Sequence, residues 1–410
     1  LTILDAFARG DINLLLCTPE YLSINSSHFA RLNNVGFIVF DETHHIANSG
    51  EAFRPVYAKA GRIRELFPDA VCLAVSATVS TQAANTIRAE LGLSAMICDA
   101  ARRENLILID KRGITDRDSY LAEILKDGSK TIIYVNSRAT SIALCKTLRK
   151  AHNEFAHKIV YYHAGMLADD RRAVEHALRD GKACCVVATS AFGEGINIPD
   201  VRDVVLYHLP FSALDFNQMS GRAGRDGNEA RVHIIFGNED NQINLGILYD
   251  EAPPRKLLAS LWRGWQLLLT NPNCCLPKNR TIEASGLQQV NKNNGIPYNL
   301  LDDGMPNEET CTCYINAARE TDPEFFMSAT AIARGVSIFN DVSLLDIVND
   351  SYGSRIYLTA SNKHTDLRLS VRYSEGLDVL SEFESFCQWV LESNESELQD
   401  MIRGPILPKE

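Results

Sequence analysis

The residues that first suggest chemistry stand at the end of an apolar run. Val35–Phe40 reads as a strand, and Asp41, Glu42, Thr43 and His44 follow it directly. In open α/β sheets ligands bind at the carboxyl ends of the strands, where these two acids would lie. Burying adjacent carboxylates there costs several kcal/mol unless a cation is present. A magnesium-bound nucleotide would supply one, with one acid on the metal and its neighbour on the attacking water. An acidic turn after a strand is the plainer alternative. D-E alone decides nothing between them, whereas D-E-x-H after such a strand is more specific.

A second group is Gln218-Met219-Ser220-Gly221-Arg222-Ala223-Gly224-Arg225-Asp226-Gly227. Two arginines three apart on a glycine-flanked turn can aim both guanidinium groups at one anion, such as a phosphoryl group in transfer. A solvated basic loop is the alternative. A third group runs from Ala188 to Asp200, where a strand opens into Gly193-Glu194-Gly195, a turn that lets backbone amides approach phosphates. Ser76-Ala77-Thr78, Thr18-Pro19-Glu20 and His163-Ala164-Gly165 are weaker signals, each readable by itself as a capped turn.

The elements that must position these groups alternate between strands and helices. Strands are expected at Asn13–Cys17, Val35–Phe40, Val71–Ser76, Thr131–Val135, Lys158–Tyr162, Ala183–Thr189, Val204–Leu209 and Val232–Phe236. Many are continuously apolar, as parallel strands covered on both faces should be. Helices are expected from Pro55 to Leu66, from Ser80 to Gly92, and over Asp169–Arg179 with Val174, Ala177 and Leu178 on one face. This is an α/β pattern with parallel sheets. The polar stretch 99–128 marks a boundary, and after Gly237 the pattern changes, with helical or strand segments at 255–269, 324–339 and 341–390.

Among 410 residues, 45% are hydrophobic and 23% charged, a soluble globular mix with room for two or three domains. No apolar run approaches the ~20 residues of a membrane-spanning helix, and no signal peptide is visible. The net charge of −11 excludes a bulk polycation, although residues 371–410 carry nine acids and three bases, which leaves room elsewhere for a local basic groove. Most of the eleven cysteines sit in apolar segments and read as small buried hydrophobes in a reducing compartment. Cys274, Cys275, Cys311 and Cys313 could supply four zinc ligands. Neither pair has the usual C-x(2–4)-C spacing, so zinc is disfavoured.

Taken in order, TPE, DETH, SAT, Tyr134–Arg138 (YVNSR), YHAG, ATSAFGEGIN and QMSGRAGRDG resemble the motifs of superfamily 2 helicases. The chain most resembles the RecQ branch. Asp41–Ile46 runs into Gly50-Glu51-Ala52-Phe53-Arg54-Pro55-Val56-Tyr57, similar to that family's G-x-x-F-R-P-x-Y loop, and Arg103-Glu104-Asn105-Leu106 and Ala191-Phe192-Gly193 are also RecQ-like. The resemblance spans about residues 10–237. It implies two RecA-like parallel-sheet lobes, the first incomplete, over 1–100 and 101–240, followed by a smaller mixed accessory region over 241–410.

It also implies an ATP-dependent DNA helicase of the DExH-box type, intracellular, moving 3′ to 5′ in recombination or repair, with ATP and Mg²⁺ as cofactors and single-stranded and duplex DNA as partners. By position, Asp41 would hold Mg²⁺, Glu42 would act as base, and His44 would pair with Gln218. Arg222 and Arg225 would face the triphosphate, with Arg225 as the finger. Ser76 and Thr78 would relay between the nucleotide and DNA sites, and Gly195 and Asn197 would line the nucleotide cleft. Phe53, Arg54, Thr189 and Arg138 would meet nucleic acid.

Three departures stand out. No G-x-x-x-x-G-K-[ST] loop is present. Gly128-Ser129-Lys130-Thr131 interposes Ser129 and enters a strand, whereas a phosphate loop leaves one. With Leu1 in place of Met, the expectation is a chain lacking its N-terminal part and, by itself, ATPase activity. Ser49 stands where the RecQ aromatic loop ordinarily has tryptophan, and the region after Gly237 lacks the family's four-cysteine zinc module. An RNA-directed helicase and a non-catalytic nucleic-acid-binding scaffold are the alternatives.

Overall fold

The computed structural model describes residues 2–48, 57, 60–193, 195–270, 295–301, 304–350, 353–359 and 365–406. The chain divides into two units, Leu1–Asn244 with Glu382–Glu410, and Leu245–Ser381.

The first unit holds two parallel sheets. In the smaller, β1 (Phe37–Phe40) pairs with β2 (Val71–Ala74), Phe37 opposite Val71 and Phe40 opposite Ala74. Helix α1 (Thr81–Leu91) covers one face, and its ends are those expected. The Ser80 hydroxyl accepts the Ala83 amide, and Gly92 closes the helix at φ 63°. Phe40, Cys72 and Ala74 pack on Ile46, Ile87 and Leu91, and Ile38 packs against the cluster of Phe29, Leu32 and Phe67.

The opposite face is open. Phe37, Val39, Val71 and Leu73 are 56%, 52%, 63% and 45% exposed. The continuous apolar pattern therefore misleads here, because no described layer lies against that face. Asn13–Cys17, expected as a strand, is irregular, with Leu14 and Leu16 exposed. A strand needs a neighbour for its amides and carbonyls, and none lies beside it among the described residues. Of the helix expected from Pro55 to Leu66, the described part is Ala60–Glu65.

The larger sheet contains β3 (Leu106–Asp110), β4 (Thr131–Tyr134), β5 (Ile159–Tyr162), β6 (Cys185–Ala188), β7 (Asp203–Leu206) and β8 (Ala230–Ile234), in the order β3-β8-β7-β4-β6-β5. Every pairing is parallel, and Thr131 lies between Cys185 and Asp203. All residues of β4, β6 and β7 are buried, as strands covered on both faces must be. The crossover helices include α2 (Arg138–Ala151), α3 (Ala168–Arg179) and α4 (Ala213–Ser220). Strand β3 lies inside the polar stretch read as a boundary. Its five apolar or half-buried residues are too few to stand out between charged flanks.

A polar knot crosses this sheet. Fully buried Asp203 accepts hydrogen bonds from Arg231 at 2.7 and 2.8 Å and from the Ser129 hydroxyl at 3.1 Å, and lies 2.8 Å from His233 Nε2. Burial pushes its carboxyl up, but the hydrogen bonds from His233 and Arg231 outweigh that and hold it below the ordinary value. Lys130 spends its ammonium on Asp200 and the Arg179 carbonyl, so Gly128–Thr131 serves the entry to β4.

In the second unit, α5 (Arg255–Thr270), β9 (Ile296–Pro297), α6 (Glu308–Arg319), α7 (Ala329–Asp341), β10 (Leu345–Asp350) and β11 (Gly353–Leu358) follow one another. The sheet is antiparallel in the order β10-β11-β9, which is the helix-strand-helix-helix-hairpin arrangement of a winged helix. Trp265, Tyr314 and Phe339 form its aromatic centre. Gly264 lets α5 approach α6 so closely that a Cβ there would stand 2.8 Å from the Ala318 nitrogen. Cys313 is buried in this core and Cys311 packs at its margin. Cys274 and Cys275 lie outside the described residues. The chain ends in α8 (Val371–Glu392) and α9 (Glu395–Arg403), the latter opened by a capping box of Asn394 and Glu397.

Two outcomes are expected. Replacing Asp203 by alanine takes away the carboxylate that Arg231 and His233 share, leaving them only Asp127 at 3.5 Å and the Tyr120 hydroxyl at 2.8 Å, and should lower unfolding free energy by about 3 kcal/mol in urea titrations. Because the Asp203 carboxyl is depressed, its contribution is full above the unfolded value near about 4 and is lost as pH falls through the folded value. Acid titration of the variant should lack that component. The open face of the small sheet should also drive concentration-dependent self-association, which light scattering would detect and Val39→Lys with Leu73→Glu should reduce.

Candidate functional site

The acids at the end of β1 are held by the strand beside them. The Thr43 amide and hydroxyl both donate to the Val75 carbonyl, at 3.0 and 3.1 Å, and the Val75 amide donates to Phe40. Asp41 Oδ1 accepts the Glu42 amide at 2.9 Å. Glu42 sits at φ 50°, a left-handed conformation that costs a non-glycine residue about 1–3 kcal/mol and turns its side chain out of the strand direction. His44 is buried, with Nδ1 3.1 Å from the Ser76 hydroxyl and 3.3 Å from Glu42 Oε2. Ser76 in turn donates to the Thr78 carbonyl at 3.2 Å. The Thr78 hydroxyl is buried without a hydrogen-bond partner.

Burial does not demand a cation beside these acids. Asp41 is exposed and the Glu42 side chain is 40% exposed, because both project beyond the sheet edge into solvent. Asp41 still suits Mg²⁺, which binds through one or two carboxylates and keeps waters or phosphate oxygens in its other positions. Among the described residues no three His, Cys, Asp or Glu side chains gather as a complete metal cage.

The arginine loop follows α4. Arg222 Nη1 donates to the Ile196 carbonyl at 3.0 Å, and Arg225 Nη1 reaches the same oxygen at 3.4 Å. Gly195, at φ 72°, makes the turn that delivers Ile196, and Asn197 is exposed beside it. Glu194 lies outside the described residues. A third guanidinium, missed in the sequence, completes the group. Arg103 donates to the carbonyls of Ala223 and Gly224, both at 2.7 Å, and Asn105 donates to Gly224 and Asn228, both at 2.8 Å. Gly224 is at φ 52°, and a Cβ there would meet the Asn105 amide at 2.6 Å, so the loop requires glycine. The signal was present as Arg103-Glu104-Asn105-Leu106 but carried no role.

Among the described residues Arg103, Arg222 and Arg225 form no ion pair. Burial and the charges of Arg222 and Arg103 weaken proton binding at Arg225, against which Tyr134 and Glu42 pull. Glu42 and Arg225 are thus electrostatic neighbours. Tyr134 is buried below, its hydroxyl donating to the Phe192 carbonyl at 2.7 Å and its pKa pushed up to about 12 by burial. Beneath the arginines, Ile132, Phe192, Ile198 and Val201 line a pocket of about 10 Å³, roughly the room of one water.

Gln218 is half-buried on α4. Among the described residues no hydrogen bond joins it to His44. The group on α4 that His44 influences is Asp215, another residue that sequence reasoning missed; burial raises its carboxyl, while Ser212 and His44 lower it. At the other end of the large sheet, Arg138 is exposed in the first turn of α2, with Nη1 3.0 Å from where a Gly165 Cβ would stand. His163 beside it is buried, and neither ring nitrogen has a partner. Thr189 is half-buried at the end of β6, its amide on the Tyr162 carbonyl at 3.1 Å. Phe53, Arg54 and Ser49 lie outside the described residues.

Comparison with known proteins agrees with this motif order. Residues 2–87 match the DEAD/DEAH box helicase family and residues 116–227 the helicase conserved C-terminal domain. The chain is 32% identical over 244 residues to ATP-dependent DNA helicase Q-like 4B of Arabidopsis thaliana, covering 57% of this chain and 21% of the relative. It is 32% identical over 259 residues to ATP-dependent DNA helicase RecQ of Pasteurella multocida (strain Pm70), covering 61% of this chain and 40% of the relative. The chain thus spans well under half the length of these curated relatives. A solved structure of Mycobacterium smegmatis helicase Lhr bound to ssDNA and AMP-PNP aligns over 83% of this chain and 44% of that chain, at 18% identity and a TM-score of 0.46. Residues 2–87 and 116–227 thus match the two helicase domains, and the relatives this chain resembles at this identity are RecQ-family DNA helicases.

Proposed function

We propose that this chain forms part of an ATP-dependent DNA helicase in which two lobes grip a nucleoside triphosphate between a carboxylate edge and an arginine cluster. The observation that carries the reading is the convergence of Arg103, Arg222 and Arg225, none of them in an ion pair among the described residues, with Glu42 an electrostatic neighbour of Arg225. Three guanidinium groups held by backbone carbonyls form a ready site for a polyanion.

The side-chain roles follow from position. Asp41 holds the metal through one carboxylate, and Mg²⁺ when bound neutralises the phosphate oxygens. Glu42, raised from the strand by its left-handed backbone, orients the attacking water and takes its proton. The Ile196 carbonyl aims Arg222 and Arg225 at the charge that develops on the transferred group, with Arg225 as the finger. His44 and Ser76 link Glu42 to the Thr78 loop and so carry the nucleotide state toward nucleic acid. Gln218 and Asp215 read the position of His44 from α4. Gly195 and Asn197 border the cleft.

Nucleic acid lies across the ends of β4, β5 and β6, where Arg138 and Thr189 meet backbone phosphate, with Phe53 and Arg54 contacting the strand from the first lobe. DNA is favoured over RNA because the curated relatives named above are DNA helicases. Movement 3′ to 5′ and a place in recombination or repair complete the proposal. The second unit is no bulk polycation. It carries sixteen acidic against twelve basic side chains, and Arg334 of α7 is paired with Glu251.

Residues 1–410 contain no G-x-x-x-x-G-K-[ST] loop to cradle the triphosphate, so by themselves they should show no steady ATP hydrolysis. A rate that vanishes in Glu42→Gln would overturn this. Fluorescence anisotropy with a labelled single strand should show binding that weakens with salt, and Arg138→Ala should reduce the log–log salt slope by about 1. Equal or tighter binding to matched RNA, with unwinding of RNA duplexes alone, would favour the RNA-directed reading.

A further inference from the structure

The last residues return to the unit that carries the helicase motifs, and their contacts fall on three parts of it. Helix α9 lies along the outer edge of β3. The Gln399 side chain accepts the Leu108 amide and donates to the Leu106 carbonyl, both at 2.9 Å, over buried Leu398 and Ile402. The stretch leading into β3 is held as well. Arg102 pairs with Asp400 at 2.6 Å, Arg403 pairs with Glu104 at 3.0 Å, and the Arg103 amide donates to the Arg403 carbonyl at 2.8 Å.

Beyond α9 the chain crosses to the smaller sheet. Asn217 Nδ2 donates to the carbonyls of Met401 and Gly404, at 2.7 and 2.9 Å, and the Ile406 carbonyl accepts the Val79 amide at 2.9 Å, next to Thr78. Upstream, Arg112, oriented by Asp110, donates to the carbonyls of Val390 and Ser393 at 2.6 and 2.9 Å and closes the end of α8. One short segment thus binds the six-stranded lobe, the linker between the lobes and the two-stranded lobe. A helix that merely covered an edge strand would need only the first of these.

We propose that residues 393–406 are a clasp that sets the spacing of the two lobes and thereby the gap between Glu42 and Arg225. Asn217 is a positioning residue that anchors the clasp one residue from Gln218. The weaker end is on the two-stranded lobe, where the bond is backbone to backbone. The other end rests on buried Leu398 and Ile402 and on charged pairs, so the Val79 contact is the one that releases. The spacing itself does not depend on the function proposed above. The consequence that nucleotide and clasp compete over lobe spacing does rest on that reading.

The test attaches a fluorophore pair through encoded unnatural amino acids at Asn85 on α1 and His176 on α3, both exposed. Single-molecule distance distributions are then compared for the full chain, a chain ending at Gly404, and full-length Asn217→Asp, whose carboxylate would oppose the two carbonyls. The full chain should give one narrow distribution, and both variants a distribution at least about twice as broad, with circular dichroism melts unchanged. Equal widths in all three, or a broad distribution in the full chain, would overturn the clasp. If the shortened chain fails to fold, Asn217→Asp decides, and Asn217→Gln, which keeps the donor, should restore part of the narrowing. Adding magnesium with a non-hydrolysed ATP analogue is a separate arm. A full chain that is narrow without the analogue supports the clasp whatever the analogue does, and an analogue that shifts or broadens it supports the nucleotide reading separately.

Discussion

Like charges held together at close range are the constraint on which the candidate site depends. Arg103, Arg222 and Arg225 repel one another: burial first, and then the charges of Arg222 and Arg103, weaken proton binding at Arg225. Backbone carbonyls keep them in place: Ile196 for Arg222 and Arg225, and Ala223 and Gly224 for Arg103. Carbonyl dipoles orient a guanidinium without cancelling its charge, which a carboxylate partner would do. The positive field is therefore kept for a ligand, and the loop geometry that exposes those carbonyls becomes indispensable. Hence Gly224 at positive φ with no room for a side chain, and Gly195 turning the loop that delivers Ile196.

The facing acids rely on a different device. Asp41 and Glu42 are not buried against one another. They are lifted into solvent by a left-handed residue and tied by Thr43 to the Val75 carbonyl. Solvation makes the paired carboxylates tolerable without a metal. The acids stand at the carboxyl end of β1, where ligands of parallel sheets bind, whereas the arginine loop precedes β8 and packs on residues that lead into β3 and β7.

Legibility in the sequence followed the range of the interaction. Ser80 and Gly92 bound α1 as read, and the end of α3 at Arg179 was also visible, because caps depend on adjacent residues. Most strands of the large sheet were recognisable from apolar runs. The same cue failed for Asn13–Cys17, which lacks a pairing neighbour, and for the faces of β1 and β2, where Phe37 and Val71 are open. It missed β3, whose stability comes from β8 on one edge and Gln399 on the other.

In the candidate site the residue types and their order were set by the chain alone: a D-E-x-H at a strand end, a glycine turn, and two arginines three apart. Local spacing suffices for that, since each motif is one turn or one strand end. Which charges are neutralised was decided only in three dimensions. Arg103 joins the cluster from more than a hundred residues away, Asp215 feels His44, and the Ile406 carbonyl reaches the Val79 amide. Such partners are chosen by chain crossings between sheets, and no periodicity in the sequence encodes a crossing.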